Sequence, residues 1–295
     1  MRFRVLILFI LIVSSIAGIG HPVSAETMPE RRLLITPLRS ELVIDAGTAY
    51  KGTVMLSNTG TSSLTIKLDA QAFDVVNQNY DYVFKPKSPV NDWVNFAQPS
   101  IVLNAGQSYT VNYLISVPIG AEPGGKYISI FASAQPSTKD GITTVDRVGS
   151  LIYMTVPGAI TKTGELLSLK SPFIATDQIS WSAIIRNSGT AHFRNIYETR
   201  LTTLWNTDIT TTKDSALILP TSVRLVQGMI GRPKLLGLYK VHYTFSLGDT
   251  PNAEKTMFVV YLPPVQVIPI MAFIVLVGVI AFKLAQRFYK VKHTN

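Results

Sequence analysis

Apolar and polar residues alternate with a period of two along most of this chain. The rhythm is clear in AYKGTVMLSN (49–58), SLTIKLDAQAF (63–73), QSYTVNYLISVP (107–118) and KYISIFASA (126–134). Such runs, bounded by Gly, Pro, Asn and Ser, are typical of β-strands, and between the two ends of the chain no stretch of about 11 residues or more shows a helical period. The pattern predicts an all-β fold, and the even spacing of the short strands favours β-sandwiches.

The order of these patterns repeats once along the chain. The break falls near residues 157–165, where Pro157 and Gly158 separate two predicted strands. We therefore predict two immunoglobulin-like β-sandwich domains in tandem, at residues 26–158 and 159–264. The corresponding segments, in the same order, are LLITPLRSELVIDAG and ELLSLKSPFIATD, KGTVMLSNTGTSSLTI and ISWSAIIRNSGTAHFRNI, SIVLNAGQSYTVNYLISV and SALILPTSVRLVQGMI, and GGKYISIFASA and GLYKVHYTFSL.

A short polar sequence, Asn-x-Gly-Thr, occurs in each copy and begins at Asn58 and at Asn187. Asn and Gly tolerate the backbone angles that tight turns require. We interpret the repeated sequence as the same strand-to-strand turn in two copies of one domain, and not as a binding motif.

The first copy carries an extra stretch, Val75 to Ser100, that is polar and rich in aromatic residues. Long connections on a rigid β scaffold often carry binding residues. We predict Tyr80, Tyr82, Trp93 and Phe96 as candidate residues for binding a glycan or a partner protein, with Tyr80 and Tyr82 on one face of an extended strand. The alternative is that Trp93 and Phe96 close the open end of the sandwich.

The N-terminus has the pattern of a secretory signal peptide, residues 1–25. Two Arg residues lie among the first four, the apolar run VLILFILIV follows, and small residues lead to a cleavage site at Ala25. An apolar core of this length is too short for an ordinary membrane span. An uncleaved anchor is the alternative.

Residues 265–285 are predicted to form a transmembrane helix. Ile268 to Phe282 is unbroken apolar sequence, and 18 helical residues rise roughly 27 Å, about the thickness of a bilayer core. The basic tail, residues 286–295, is then cytoplasmic and both β domains are extracellular, as in a single-pass type I cell-membrane protein. A buried core helix is the alternative.

The formal net charge of +9 comes mostly from the two ends of the chain. Residues 26–158 hold 10 basic and 11 acidic side chains, and residues 159–264 hold 11 and 7. No cluster of basic residues interleaved with aromatic residues occurs in either range, which excludes nucleic acid as a partner. The excess in the second domain suggests the hypothesis that it faces anionic lipid headgroups or wall polymers.

Few residues suit catalysis or metal binding. The chain has no Cys, and the two His residues between the ends, His192 in a predicted turn and His242 in a predicted strand, are far apart in sequence. Carboxylates are scattered singly, and no nucleophile, zinc or phosphate-loop motif occurs. We predict that the protein is not an enzyme and uses no cofactor or metal. Without disulfides its stability depends on core burial, and the absence of glycosylation sequons favours a bacterial surface.

Several segments resemble the WxL-interacting-protein family of Gram-positive-type bacteria. In the first domain these are LITPLRSELVIDAG, TVMLSNTGTSSLTIKLDAQAF, VNDW, IVLNAGQSYTVNYLISVP and AEPGGKYISIFA, and in the second LILPTSVRLVQG and LLGLYKVHYTF. The resemblance implies that the first domain contacts peptidoglycan and that the second engages a surface protein or a host component. The chain has no Trp-x-Leu sequence of its own, so it would be the interacting protein.

These observations predict a non-catalytic, membrane-anchored cell-surface scaffold for binding or adhesion, whose partners are the cell wall (peptidoglycan), a surface protein and the lipid bilayer. An accessory subunit of a membrane transport or secretion complex is one alternative. An export chaperone that presents a sheet edge to client strands is another, and a hydrolase is the third.

Overall fold

The computed structural model describes residues 33–139 and 142–292, which form strands almost throughout. The predicted signal peptide lies outside the described residues. The strands before residue 157 are β1 (Leu33–Thr36), β2 (Arg39–Val43), β3 (Ala49–Asn58), β4 (Leu64–Val76), β5 (Asp81–Lys85), β6 (Val94–Phe96), β7 (Ser100–Leu103), β8 (Ser108–Ser116), β9 (Gly124–Ala134), β10 (Ser137–Lys139), β11 (Ile142–Thr144) and β12 (Arg147–Val156). Those that follow are β13 (Gly164–Lys170), β14 (Ile174–Ala175), β15 (Ile179–Asn187), β16 (Phe193–Thr202), β17 (Asp208–Ile218), β18 (Val223–Ile230), β19 (Gly237–Leu247) and β20 (Thr250–Tyr261).

Each group of strands forms its own sandwich. In the first, a sheet of order β1-β3-β8-β6 packs on a larger sheet of order β2-β12-β9-β4-β5, in which β7 also pairs with β4. In the second, β13-β15-β18 packs on β14-β20-β19-β16-β17. Buried apolar side chains from both sheets form one core in each sandwich. The prediction of two tandem immunoglobulin-like sandwiches is confirmed, and the predicted boundary falls in the connection between β12 and β13.

The two sandwiches have the same strand pairings. The first strand of each pairs antiparallel with the third (β1 with β3, β13 with β15), and the second runs parallel to the last (β2 with β12, β14 with β20). Two elements differ. One is β6, which pairs with β8 and has no counterpart among the described strands of the second sandwich. The continuous strand β17 pairs with all of β16, whereas in the first sandwich β5 and β7 pair with opposite ends of β4.

This difference corrects the predicted extent of the extra stretch. Residues 75–85 form a hairpin that both sandwiches share, because the backbone groups of β4 continue to find ladder partners in β5. The segment that the second sandwich lacks is residues 86–99, a 3₁₀ helix, η1 (Pro89–Trp93), followed by β6.

The repeated Asn residues hold together the crossover between the two sheets of each sandwich. The side-chain amide of Asn58 donates to the carbonyl oxygens of Ser62, Leu103 and Asn104 at 2.8 to 3.1 Å. That of Asn187 donates to Ala191 and Ile218 at 3.0 and 2.9 Å. Both asparagines are buried.

The interpretation of this motif as a turn that needs special backbone angles is wrong for Gly189. That residue does not adopt a positive φ; instead, a Cβ at Gly189 would lie 2.3 Å from the carbonyl oxygen of Thr161, so glycine is needed for close backbone approach. Its N–H donates to Asn187 Oδ1 at 2.8 Å. The conformation is set by side-chain hydrogen bonding.

The second sandwich contacts the first through one of its two ends. The end of the second sandwich that holds Thr190 and Leu219 contacts the first sandwich. The opposite end, where β20 finishes at Tyr261, leads directly into helix α1 (Pro264–Lys292). Its portion Pro264–Leu284 has a mean hydropathy of 2.7 and none of it is buried against the sandwiches. By length and composition, this helix can cross a membrane.

Candidate functional site

The hairpin β4–β5 extends the larger sheet of the first sandwich towards the second. Its turn, residues 77–80, is named here the domain 1 hairpin tip. Asn77 and Tyr80 have φ values of 54° and 69°, in the left-handed region that Asn tolerates better than most residues. Asn77 stabilises the turn through both ends of its side chain, because Oδ1 accepts from the N–H of Asn79 at 2.9 Å and Nδ2 donates to Asp81 at 2.6 Å.

Tyr80 anchors this tip on the second sandwich. Its side chain is buried, with 7% exposed, and its hydroxyl oxygen accepts from the backbone N–H of Leu219 at 2.6 Å. The guanidinium of Arg224 lies 4.2 Å from the ring centroid. A second backbone bond, from Leu225 N–H to the carbonyl oxygen of Gln78, measures 2.8 Å. Burial raises the pKa of Tyr80 to about 12, so the hydroxyl stays protonated.

An apolar cluster continues this contact across the domain interface. Rings pack edge-on or tilted, with Phe73 5.9 Å from Tyr127 and 5.6 Å from Tyr153 between centroids. Burial raises the pKa of both tyrosines well above the usual range. Because six buried side chains from both sandwiches share one cluster, we expect the sandwiches to move together. The cluster, named here the interdomain cluster, comprises Phe73, Tyr80, Tyr127, Tyr153, Leu217 and Leu219.

His192 lies beside this cluster with 9% of its surface exposed. Its Nδ1 is 3.2 Å from the hydroxyl of Tyr127, and the two rings are 5.6 Å apart. Burial lowers the pKa of His192, because the imidazolium would lose its hydration there; Glu41 opposes this, while Lys162 and Arg194 add to it. Glu41 and Arg194 form an ion pair across the interface. His192 is therefore a neutral structural residue at neutral pH.

The strand β5 forms one outer edge of the larger sheet and pairs with β4 alone among the described strands. Tyr82 and Phe84 lie on the outer face of this edge, stacked at 6.4 Å, and Val83 lies on the other face. The side chains of Tyr82 and Val83 are 41% and 44% exposed. The hydroxyl of Tyr82 is 3.1 Å from that of Tyr153, which links the edge to the interdomain cluster.

The other two candidate aromatics belong to the extra segment 86–99. Trp93 and Phe96 are half-buried and pack against the core of the first sandwich. Asn91 holds η1 in place by accepting from the N–H of Ala72 at 2.5 Å. Phe96 also lines an open cavity of about 440 Å³, together with Gly52 and Tyr113. This packing agrees with the alternative in which both aromatics close the sandwich.

The four candidate residues therefore fall into three environments. Tyr80 is in the domain interface, just before β5 and not within it, although its ring lies 6.4 Å from that of Tyr82. Trp93 and Phe96 face the core. Tyr82 combines exposure with a free sheet edge, and a binding role for it stays a prediction.

The sequence patterns do not indicate an interface role for several residues, namely Phe73, Tyr127, Tyr153, His192 and Arg224. A signal was present in β9, where KYISIFASA carries apolar or small side chains on both faces, and the structure buries both faces from Tyr127 to Ala132. A strand with two apolar faces indicates that something covers its outer side.

In residues 33–139 and 142–292, no group of three or more His, Asp or Glu side chains could hold a metal ion. His242 lies between the hydroxyls of Thr202 and Thr256, at 3.2 and 3.0 Å. The best-supported candidate site is the free edge of β5 with the aromatic rings of Tyr82 and Phe84, and this arrangement suits binding.

No protein-family model matches the sequence, and no curated protein matches it. Among solved structures, the class 5 fimbriae chaperone CfaA covers 78% of this chain and 100% of its own, with 15% identity and a TM-score of 0.39. A chain from the CsuC–CsuE chaperone–tip adhesion subunit complex of Acinetobacter baumannii covers 78% and 99%, with 14% identity and a TM-score of 0.38. The PapD-like domain 7 of human CEP192 covers 48% and 97%, with 14% identity and a TM-score of 0.34. Similarity at these TM-scores carries no inference about function.

Proposed function

We propose that this chain is a membrane-anchored, non-catalytic binding protein that takes up an extended segment of another extracytoplasmic protein along the free edge of β5. The observation that carries the proposal is the edge itself, where Tyr82, Val83 and Phe84 are consecutive, partly exposed and paired on one side. An added strand would satisfy the unpaired backbone groups, and alternate side chains would meet the two aromatic rings.

Two longer edge strands in the described residues, β17 and β13, are less suited to an added strand. The edge strand β17 carries the polar run Thr-Thr-Thr-Lys-Asp, and β13 is interrupted by a bulge between Leu166 and Ser168. Charged side chains and bulges are common devices against edge pairing. The edge of β5 has charged residues at its two ends, Asp81 and Lys85, which would limit the added strand to a short segment.

The domain interface supports binding by holding β5 in place before a partner arrives. The hairpin that contains β5 is fixed on the second sandwich through Gln78 and Tyr80, and Tyr82 contacts Tyr153. A preorganised edge loses little conformational entropy on binding. Helix α1 and the basic tail would place this edge outside the cell, with the C-terminus in the cytoplasm.

The experiment uses the full chain in lipid nanodiscs, with a photo-crosslinking amino acid at Tyr82. We expect crosslinks to one contiguous segment of a secreted or surface protein. Val83→Lys should abolish them, because a lysine on a sheet edge opposes strand addition. Met55→Lys is the matched control: Met55 is 43% exposed against 44% for Val83, but it lies on β3, which is paired on both sides. It should leave the crosslinks intact.

The same nanodiscs are incubated with purified cell walls to separate the two partner classes. Strand addition would be contradicted if both lysine variants bind the wall and the chain without either lysine gives no protein crosslinks at position 82. That result would favour the peptidoglycan contact that the family resemblance implies. Equal loss of crosslinks in both variants would also count against the edge.

A further inference from the structure

The end of the second sandwich nearest helix α1 carries large exposed apolar side chains, named here the apolar collar. Trp205 is 85% exposed and Leu235 is 68% exposed. Soluble proteins rarely expose contiguous apolar surface of this kind without a partner for it. The collar comprises Phe173, Ile174, Trp205, Leu235, Leu236 and Leu238.

Strand register shows that the collar residues lie together although they are distant in sequence. The ladder pairs Leu238 with Val260, and Val260 is also opposite Ile174. Trp205 lies in the turn between β16 and β17, residues 203–207, named here the domain 2 hairpin tip. Thr202 at its base pairs with Lys240, whose ammonium donates to Asn206 at 3.1 Å.

The first turn of helix α1 is bonded to the collar. Gln266 accepts from the N–H of Leu236 at 2.8 Å and donates to the carbonyl oxygen of Lys234 at 2.8 Å. The collar therefore lies level with the start of the apolar helix, where Val265 is 85% exposed. If α1 crosses a bilayer, the collar meets the interface between water and lipid.

The charges around the collar fit the same surface. Arg232, Lys234 and Lys240 lie beside it, and Asp177 pairs with Arg232 at 3.3 Å. Tryptophan is enriched at the headgroup level of membranes, and basic side chains there approach anionic lipids. Cations beside an apolar helix suit anionic lipid headgroups better than a partner protein.

We propose that the apolar collar inserts into the headgroup region of the bilayer around helix α1, with Trp205 as its main anchor, and so seats the second sandwich on the membrane. The occupant is lipid, as the continuity with α1 and the neighbouring cations indicate. The insertion fixes the orientation of the second sandwich relative to the membrane, independently of what β5 binds.

The test measures fluorescence of the full chain in nanodiscs of phosphatidylcholine and phosphatidylglycerol. The signal of Trp205 is obtained by subtracting that of the Trp205→Phe variant, which retains Trp93 and Trp181. We expect quenching by brominated lipids, and acrylamide quenching about threefold weaker than at an exposed site in water. Ile119→Trp in the Trp205→Phe background provides the matched exposed site, since Ile119 is 90% exposed and belongs to the first sandwich.

Two results would overturn the proposal. If acrylamide quenches Trp205 as strongly as the reporter at position 119, the collar is in water. If Trp205 is protected from acrylamide but brominated lipids do not quench it, another protein or a second copy covers the collar. Circular dichroism of each variant verifies that both sandwiches remain folded.

Discussion

The two hairpin tips occupy equivalent places in the repeated fold but carry different aromatic residues with different exposure. In the domain 1 hairpin tip, Tyr80 is 7% exposed and packs on the next sandwich. In the domain 2 hairpin tip, Trp205 is 85% exposed and lies at the end of the second sandwich that leads into α1. The same end of each sandwich therefore faces the next module in the chain, which for the second sandwich is α1. The same end of the repeated fold therefore carries a buried tyrosine in one sandwich and an exposed tryptophan in the other.

The edge strands at equivalent positions of the two sandwiches also differ, in length and in polarity. In the second sandwich, β17 runs unbroken beside β16 and is strongly polar. In the first, the insertion of residues 86–99 divides that strand into β5 and β7. The division leaves a short edge with aromatic residues beside a rigid interface. The edge position itself is common to both sandwiches. The insertion shortens the edge strand, while its own aromatics Trp93 and Phe96 pack against the core.

The largest effect is expected where the two sandwiches are most alike. Asn187→Ala should lower the free energy of unfolding of the second sandwich by about 3 kcal/mol, because two buried carbonyl oxygens lose their donor. Asn58→Ala should do the same to the first sandwich. Urea unfolding of the full chain in micelles, in a Trp205→Phe background, follows the first sandwich through Trp93 and the second through Trp181.

Asn112→Ala serves as the control, because Asn112 is exposed on β8. Its effect should be within about 0.5 kcal/mol. If Asn58 and Asn187 differ by more than about 2 kcal/mol, the crossovers of the two sandwiches are not energetically equivalent.

These asparagines also show what the sequence can predict. Two-residue alternation identified the strands, because each sheet buries one face, and the repeated order identified two sandwiches. The sequence predicts a structural role for Asn-x-Gly-Thr, and the structure agrees. The predicted cause, special backbone angles, differs from the observed one, buried amide hydrogen bonds. Those bonds join residues as far apart as Asn187 and Ile218, or Asn58 and Leu103. Contacts across that separation depend on tertiary packing and leave no local pattern.

Only part of the candidate site can be recognised in the sequence, because contacts between distant residues leave no local pattern. The sequence singles out Tyr82 because long connections on a β scaffold often carry binding residues, whereas Tyr127 and Tyr153 look like ordinary strand residues. The binding role of Tyr82 stays a prediction. They line the interface because β9 and β12 lie side by side and the second sandwich covers them. The sequence could not distinguish Tyr80, which is used internally, from Tyr82, which is partly exposed.

The next largest effect concerns the domain interface. Tyr80→Ala should weaken the coupling between the sandwiches by about 2 kcal/mol, because it removes a buried ring and leaves the N–H of Leu219 unpaired. The unfolding transitions reported by Trp93 and Trp181 should then separate. Tyr80→Phe keeps the ring and should give a smaller separation. Coincident transitions in Tyr80→Ala would show that the hairpin tip does not couple the sandwiches.

A smaller effect should depend on pH. Burial lowers the pKa of His192 below 6.5, so the unfolded chain takes up a proton first as the pH falls. Stability is therefore complete above pH 6.5 and decreases as the pH falls towards the pKa of the folded state. His192→Phe keeps a ring against Tyr127 and should remove this part of the pH dependence. Urea midpoints between pH 7.5 and pH 5 measure it, and an unchanged slope in the variant would contradict the assignment.

The smallest effect on stability, and the sharpest contrast with Tyr80, is expected at the domain 2 hairpin tip. Trp205→Ala should change the free energy of unfolding in micelles by less than about 0.5 kcal/mol, because the side chain is 85% exposed. In nanodiscs the same variant should weaken the contact between the second sandwich and the lipid headgroups. Given the coupling through Tyr80 predicted above, the first would tilt as well. Energy transfer from a dye on the first sandwich to labelled lipids should then show a broader distance distribution, whereas an unchanged distribution would mean that Trp205 does not fix the orientation of the sandwiches relative to the membrane.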